Sequence, residues 1–429
     1  MATAFELSQG TWQERLDYVV AMMREMSQEQ DPQKMVQAYV ARVRRLTPGD
    51  RWMAFSRRGL EPPQYRITRS SMWTKQINPW KEGHKLPVYD RGLLGELLYE
   101  ARPRIINGLD IADDDPAGEH LSGLGSLLAI PHFEGGQVLN MVVTGSFQTD
   151  AFDPDRLPEM FWLSNLFGRA TQNLVLSEQL QAAYAAVDQE LQVVADIQRS
   201  LLPRSLPQVP NLDLAAYYQT SRRAGGDYYD FFAVPGGKLG IFLADASGHG
   251  TPATVMMAIT HSVAHSYPGP PSAPGKMLAY LNEQLARRYT QDNDSFVTAF
   301  YGIYDPATRV LNFSSAGHNP PRWRHTDGRI EDLGEVAGLP LGVTMGEEYP
   351  DSSRTLTAGD TVLFYTDGVT DASGKSRPWF GVEGLDQVLR TARGDSAEIL
   401  AALRRSLDEF TGGQAPDDDR TALVAQVTG

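Results

Sequence analysis

Cysteine is absent from all 429 residues. Its absence excludes disulfides, zinc–thiolate sites and a cysteine nucleophile, and it suits a reducing compartment. Positive charge is short as well: 39 Lys and Arg stand against 53 Asp and Glu, a formal net charge of −14. So acidic a surface does not fit a nucleic-acid or anionic-membrane partner, either of which needs a basic face. No run approaches the roughly 18 consecutive apolar residues of a membrane span. The first residues also lack the basic and apolar regions of a secretory signal. A cytoplasmic protein with no nucleic-acid and no membrane partner is therefore expected. At this length, two domains and a connector are expected rather than one core.

What is present comes in blocks. Residues 12–29 and 32–46 carry helical periodicity. Leu16, Val19, Val20, Met23 and Met26 form the predicted buried face of the first, and Met35, Tyr39, Val40 and Val43 that of the second. The period then shortens. Runs at 52–56, 65–68, 126–133 and 138–147 predict strands, a short helix is predicted at 93–99, and Gly135-Gly136 signals a tight hairpin turn. This order of helices, strands, central hairpin and closing helix over residues 14–175 resembles a GAF domain, with 1–13 as a tail. The resemblance implies an α/β sensor domain with a small-molecule or protein effector, the pocket lying between sheet and helices. Trp73, Trp80 and Tyr89 are candidates for its wall, although core packing is the first reading of such aromatics.

From 159 to 202 there is no Pro and one Gly, Gly168. Leu180, Tyr184, Val187, Leu191, Val194, Gln198 and Leu201 recur at alternating four and three, the spacing of a two-stranded coiled coil. Residues 176–204 are read as a helical coiled-coil linker that makes the chain a homodimer. A single helix packed on the next domain is the other reading. Pro203, Pro207 and Pro210 end it.

From 211 the pattern becomes one of buried strands, at 214–219, 228–234, 239–245, 296–304, 310–315, 361–366 and 421–427. Helices are predicted near 251–266, 276–288, 383–392 and 396–410. Clustered strands with paired helices between them predict an α+β domain over 205–429, its sheets face to face and its helices outside. Acidic residues sit at the strand ends: Asp227 opens one, Asp245 closes the next, Asp367 follows a third and Asp418 precedes the last. Singly, an Asp near Gly is turn chemistry. Together, carboxylates at buried strand ends converge on one edge and repel unless a cation stands among them. Oxygen-only ligation favours Mg²⁺ or Mn²⁺ over zinc.

Seven stretches carry a sharper resemblance: Ala224-Gly-Gly-Asp-Tyr-Tyr-Asp230, Ala244-Asp-Ala-Ser-Gly-His-Gly-Thr-Pro-Ala253, Phe296-Val-Thr-Ala-Phe-Tyr301, Ser315-Ala-Gly-His-Asn-Pro-Pro321, Gly338-Leu-Pro-Leu-Gly-Val343, Tyr365-Thr-Asp-Gly-Val-Thr-Asp371 and Asp418-Asp-Arg-Thr421. In that order they are similar to the SpoIIE/RsbU-type branch of the PPM (type 2C) metal-dependent protein phosphatases. Residues 197–203 resemble the helix that leads into such domains. The resemblance implies a PPM-type β-sandwich flanked by helices, hydrolysing phosphoserine or phosphothreonine on a protein. It implies two Mn²⁺ or Mg²⁺ ions held by Asp227, Asp245, the Ala246 carbonyl, Asp367 and Asp418, with Asp245 bridging both. A water activated between the ions then attacks phosphorus in line. Asp419 matches a position that orients a water. Arg222 matches a phosphate-binding arginine of the type 2C branch, with solvent exposure as its other reading.

The implied substrate is a phosphorylated anti-sigma-factor antagonist of the STAS type, and the sensor domain is expected to gate its hydrolysis. A catalytically weak phosphatase-like module that only binds partners is the alternative. Asp230 and Asp371 are read as turn caps or as residues that tune the site, and His249 and His318 as structural. His261 and His265, at i and i+4, lack the Glu of the zinc-protease pattern and are read as ordinary helix residues. Lys375 and Arg377, after the Tyr-Thr-Asp-Gly motif, are placed to meet a phosphoprotein.

Overall fold

The computed structural model describes residues 11–47, 49–75, 77–291, 295–374 and 378–429. Lys375 and Arg377 lie outside the described residues. The chain packs as two compact units that divide between Ala185 and Ala186.

The N-terminal unit comprises α1 (Trp12–Met26), α2 (Pro32–Val43), β1 (Arg51–Ser56), β2 (Arg66–Ser70), α3 (Pro79–Glu82), α4 (Leu93–Glu100), β3 (Arg104–Asn107), α5 (Gly118–Leu121), β4 (Ser126–Glu134), β5 (Gln137–Ser146) and the first part of α6 (Leu157–Leu201). Its strands form one antiparallel sheet in the order β2-β1-β5-β4-β3. Gly135 and Gly136, at φ +56° and +80°, turn β4 into β5 with the left-handed backbone that suits strand twist. Met53, Phe55, Met141 and Val143 pack with Leu94, Leu97 and Leu98 of α4. Met22, Met26, Met35, Tyr39 and Phe167 join α1, α2 and α6, the rings of Tyr39 and Phe167 stacking 3.7 Å apart. Leu16, Val20 and Met23, expected on the buried face of α1, are exposed instead. Residues 18–23 are apolar but for the hydroxyl of Tyr18, so periodicity does not choose a face there; packing selects Met22 and Met26.

All 45 residues of α6 are continuous, through both the closing helix and the linker of the sequence reading. Its one glycine, Gly168, costs only about 1 kcal/mol relative to alanine. Leu180, Tyr184 and Val187 of the heptad stripe are exposed, whereas Gln198 is buried. The stripe is therefore open at its start and used inside the C-terminal unit at its end.

The C-terminal unit continues with β6 (Leu212–Gln219), β7 (Asp227–Val234), β8 (Lys238–Ala246), α7 (Thr251–His265), α8 (Pro274–Arg288), β9 (Val297–Asp305), β10 (Val310–Ala316), β11 (Arg322–Arg324), β12 (Ile330–Asp332), β13 (Ser352–Thr355), β14 (Thr361–Tyr365), α9 (Asp367–Thr370), α10 (Gly381–Thr391), α11 (Ser396–Thr411) and β15 (Arg420–Val427). Two antiparallel sheets result, β13-β10-β9-β8-β7 and β12-β11-β14-β15-β6. They pack face to face, Phe300 of β9 meeting Phe364 of β14 edge-on at 5.6 Å. Val362 and Phe364 enter the core between the sheets, while Leu363 and Tyr365 face α10 and α11. Burial on both faces explains why these strands read as apolar runs rather than as alternation. The fold is α+β, as expected. The strands absent from the sequence reading, β11 to β13, are three or four residues long and hold too few apolar side chains to signal themselves.

Candidate active site

Register creates the site. Asp227, the first residue of β7, lies directly opposite Asp245 of β8 in the antiparallel ladder. Opposed residues share a face with Cβ atoms about 4.5–5.5 Å apart, and like charges there are destabilising. The second sheet brings two more acids to the same end. Asp367 begins α9 straight after β14, Asp418 precedes β15, and those strands are paired neighbours, Tyr365 opposite Ala422. Two threonines join the sheets: Thr366 and Thr421 donate to Asp227 Oδ2 at 2.7 and 2.5 Å. The Thr421 N–H in turn donates to Thr366 Oγ1 at 3.0 Å.

These carboxylates are short of counter-charge. Burial pushes Asp227 well above its ordinary range, and Asp419 and Asp367 push the same way; the two threonine hydroxyls oppose the shift. Asp245 is raised to about 10, first by burial and then by Asp227, Asp367, Asp418 and Asp419. Asp367 and Asp418 are raised by burial and by neighbouring acids. Among the described residues no Lys or Arg is a main influence on any of the four, and ionised Asp418 is favoured by the Asp419 N–H and by His249. Oxygen donors held toward protonation by one another fit a hard divalent cation, which removes the repulsion and tolerates carboxylate and carbonyl ligands. The Ala246 carbonyl belongs to the same edge, 2.8 Å from where a side chain on Gly226 would begin. The four do not form a closed cage. Among the described residues, the group of ligand-type side chains with donor atoms all within 4.8 Å is Asp230, His261 and His265.

Asp419 is committed to the turn before β7. Its carboxylate accepts from the N–H groups of Ser221 and Gly226 at 2.7 and 2.6 Å. A Cβ on Gly225 would come within 2.2 Å of that carboxylate, and one on Gly368 within 2.0 Å of the Asp419 carbonyl, so both positions need glycine. Arg222 is exposed on the turn, while Arg223 forms a two-point pair with Asp188 of α6 at 2.9 and 2.8 Å. His318 is buried, its Nδ1 2.9 Å from the hydroxyl of Thr298, the residue opposite Asp245 on β9. Burial lowers its pKa to about 4, which keeps the ring neutral as a brace. Asp371 adds negative charge beside Asp367 and Asp418.

Residues 235–428 match the family model described as Stage II sporulation protein E (SpoIIE). Over this stretch the C-terminal unit is similar to SpoIIE-family domains. The phosphoserine phosphatase RsbU of Bacillus subtilis is 30% identical over 193 residues, which are 45% of this chain and 56% of RsbU. The phosphoserine phosphatase RsbP of the same organism is 26% identical over 184 residues, 42% of this chain and 45% of RsbP. The chain thus spans about half the length of these curated relatives. The SiaA-PP2C domain of Pseudomonas aeruginosa superposes with a TM-score of 0.51 at 22% identity, over 57% of this chain and 98% of that domain; it shares the PP2C fold. Asp245, Asp367 and Asp418 fall inside the SpoIIE match, and Asp227 lies just ahead of it.

Three residues at this edge have roles that the sequence reading did not give them. Thr366 and Thr421 each lie within three residues of a strand-end acid, and that adjacency was their only signal. Gln198 was read as a coiled-coil position. Instead its Nε2 donates to Tyr218 Oη at 2.5 Å and to the Gly225 carbonyl at 3.3 Å, so α6 reaches the turn that carries Asp227.

The N-terminal unit has a cavity of about 730 Å³, lined among others by Trp52, Arg66, Arg69, Trp80, His132 and Phe167. Trp80 is a wall residue, whereas Trp73 and Tyr89 pack against the core. Arg69 is 5% exposed. Its guanidinium donates to Gln33 Oε1 at 2.7 Å and lies 5.0 Å from the Trp80 ring centre. Burial pulls its pKa down to about 10. The Nε of Arg66 is buried without a partner.

The acid centre predicts a pH dependence. Unfolded aspartates ionise near pH ~4, while folded Asp245 does so near 10. Between those limits the folded chain binds more protons than the unfolded one, so stability of the metal-free protein falls as pH rises. Scanning calorimetry is expected to show the thermal midpoint dropping from about pH 5 to about pH 9, and Mn²⁺ restoring it most at the alkaline end. Thr421→Val removes a donor to ionised Asp227, so it should steepen the drop and weaken Mn²⁺ binding about tenfold. A midpoint indifferent to both pH and Mn²⁺ would contradict the account.

Proposed function

We propose that the C-terminal unit hydrolyses phosphoserine or phosphothreonine on a regulatory protein, with two divalent cations held by Asp227, Asp245, the Ala246 carbonyl, Asp367 and Asp418. The observation that carries this reading is the opposed Asp227–Asp245 pair, largely buried at the strand ends with no basic side chain paired to it among the described residues. When bound, Mn²⁺ or Mg²⁺ supplies the charge that polarises a phosphoryl group and acidifies a water. The protein's part is positional. Thr366 and Thr421 hold Asp227 as an acceptor, Asp419 fixes the Gly225-Gly226 turn, and Asp245 is the less deeply buried of the opposed pair, on the side where a phosphate would enter. Arg222, exposed just before that turn, is the side chain available to hold the phosphate by two parallel hydrogen bonds. The names of the relatives, phosphoserine phosphatases, support a seryl phosphoprotein. A STAS-type anti-sigma-factor antagonist in the cytoplasm is the substrate that follows from the resemblance.

Hydrolysis of p-nitrophenyl phosphate and of a phosphoserine peptide with Mn²⁺ tests this. Asp245→Asn should lower kcat/KM by about two orders of magnitude or more, since removing even a group behind the ligands weakens a metal site 10–100-fold. Wild-type activity no higher than that of the variant would leave only the partner-binding alternative.

The N-terminal unit is proposed as the sensor that gates this reaction. Its cavity has the volume of a small-molecule site, and Arg66 and Arg69, with no carboxylate partner among the described residues, favour an anionic effector. A buried guanidinium without an acid is a stability cost in the free protein. Arg69→Met is therefore expected to stabilise the free chain by about 1–2 kcal/mol in denaturant titration; a loss of stability would count against the anion cavity. Pairing of two copies through Leu180, Tyr184 and Val187 accounts for their exposure on α6. Light scattering should then report a dimer for the full chain and a monomer for Leu180→Asp with Tyr184→Asp, and a wild-type monomer would end the proposal.

A further inference from the structure

A second cluster of ligands, outside the acid centre, has a different chemistry. Asp230 lies on β7, three residues beyond Asp227. His261 and His265 lie one turn apart on α7, so their side chains leave the same helix face. Each of the three offers a ligand atom, and these atoms all lie within 4.8 Å of one another. The ring centres of the histidines are 4.4 Å apart, and His265 Nε2 is 2.7 Å from Asp230 Oδ2.

The carboxylate is both buried and oriented. Asp230 is 7% exposed, takes the Tyr228 hydroxyl on Oδ2 at 2.5 Å, and takes the Phe231 N–H on Oδ1 at 2.7 Å. Partners of this kind fix ligand carboxylates in metal sites. The Tyr228 ring packs edge-on against His261, and the Phe232 ring lies tilted against His265 with ring centres 5.2 Å apart. No Lys or Arg pairs with Asp230 among the described residues, its ion-pair partner being His265. His265 is about half exposed, so one side of the cluster is open to water.

We propose that Asp230, His261 and His265 form a Zn²⁺ site, with water as the fourth ligand, that clamps α7 to β7. Two imidazoles and one carboxylate suit a borderline cation such as Zn²⁺ or Co²⁺, whereas oxygen-only ligands suit Mg²⁺ and Mn²⁺. Donors about 2.0–2.1 Å from a tetrahedral zinc stand about 3.3 Å apart, a spacing to compare with the 4.8 Å within which the three ligand atoms already lie. The pattern of two histidines one turn apart is a zinc pattern when a third ligand arrives from elsewhere. Here that ligand comes from a strand rather than from the helix. The clamp joins the strand that begins at Asp227 to the helix that follows the Asp245 loop. The proposal does not depend on the phosphatase reading, because it concerns another ion on other residues.

The test uses the metal-stripped full chain in excess Mg²⁺, which occupies carboxylate sites, with Zn²⁺ as probe. One equivalent of Zn²⁺ should remain after gel filtration, and the thermal midpoint should rise. His261→Ala and His265→Ala should each weaken Zn²⁺ binding at least about tenfold, while Asp245→Asn should keep the equivalent. Co²⁺ on the unmutated chain should give the strong visible absorption of a tetrahedral histidine-ligated ion, which needs no variant to fold. Zinc retained unchanged by both histidine variants, or no zinc and no Co²⁺ spectrum in wild type, would overturn the site and leave Asp230–His265 as an ion pair alone.

Discussion

Two aspartates set opposite each other on adjacent antiparallel strands are the constraint on which the C-terminal unit depends. At about 5 Å and an effective dielectric of about 20, two unit charges repel by about 3 kcal/mol. Each hydrogen bond to a charged group recovers roughly 1.5–3 kcal/mol before its own desolvation is counted. The two threonine donors on Asp227 are thus of the same size as the repulsion, and they leave the burial of both carboxylates unmet. A proton removes that remainder, as the raised pKa of both acids shows, and a divalent cation would do the same. The strand ends suit such a pair: the rigid core fixes the carboxylates, and the loops beyond it leave one side open.

The surroundings serve that pair in specific ways. Asp419 holds the turn before Asp227 through two backbone N–H groups, and Gly225 and Gly368 are the residues that let its backbone and carboxylate pass so close. His318, neutral in its buried setting, supports Thr298 beside Asp245. From the other side α6 reaches the turn twice, through Gln198 to the Gly225 carbonyl and through Asp188 to Arg223. A rotation or shift of α6 would therefore be felt first at the peptide groups that aim Asp227.

Much of the sandwich was legible because its central strands are buried on both faces and so stand out as apolar runs. The acids at their ends were legible for a related reason: a charged residue abutting such a run has no bland place in a core. Edge strands such as β12, Ile-Glu-Asp, were not legible, because three residues with one apolar side chain carry no period. The face of α1 was misread where apolar residues crowd positions 18–23. Gln198 was misread because a polar residue in a heptad stripe looks the same whether it meets a second helix or a tyrosine hydroxyl on the same chain.

The sequence by itself determined the resemblance to a phosphatase family, the α+β class and the acidic residue types at the strand ends, since these follow from local pattern and motif order. Tertiary structure alone decided which of those acids face one another, because a one-residue change of register would turn Asp227 or Asp245 to the opposite face of the sheet. It also decided that Thr366 and Thr421 meet Asp227 across the two sheets, and that Asp230 joins two histidines of α7. Those partners are separated by tens to hundreds of residues, and only the packing of sheet on sheet and helix on sheet brings their atoms within hydrogen-bonding or metal-binding reach.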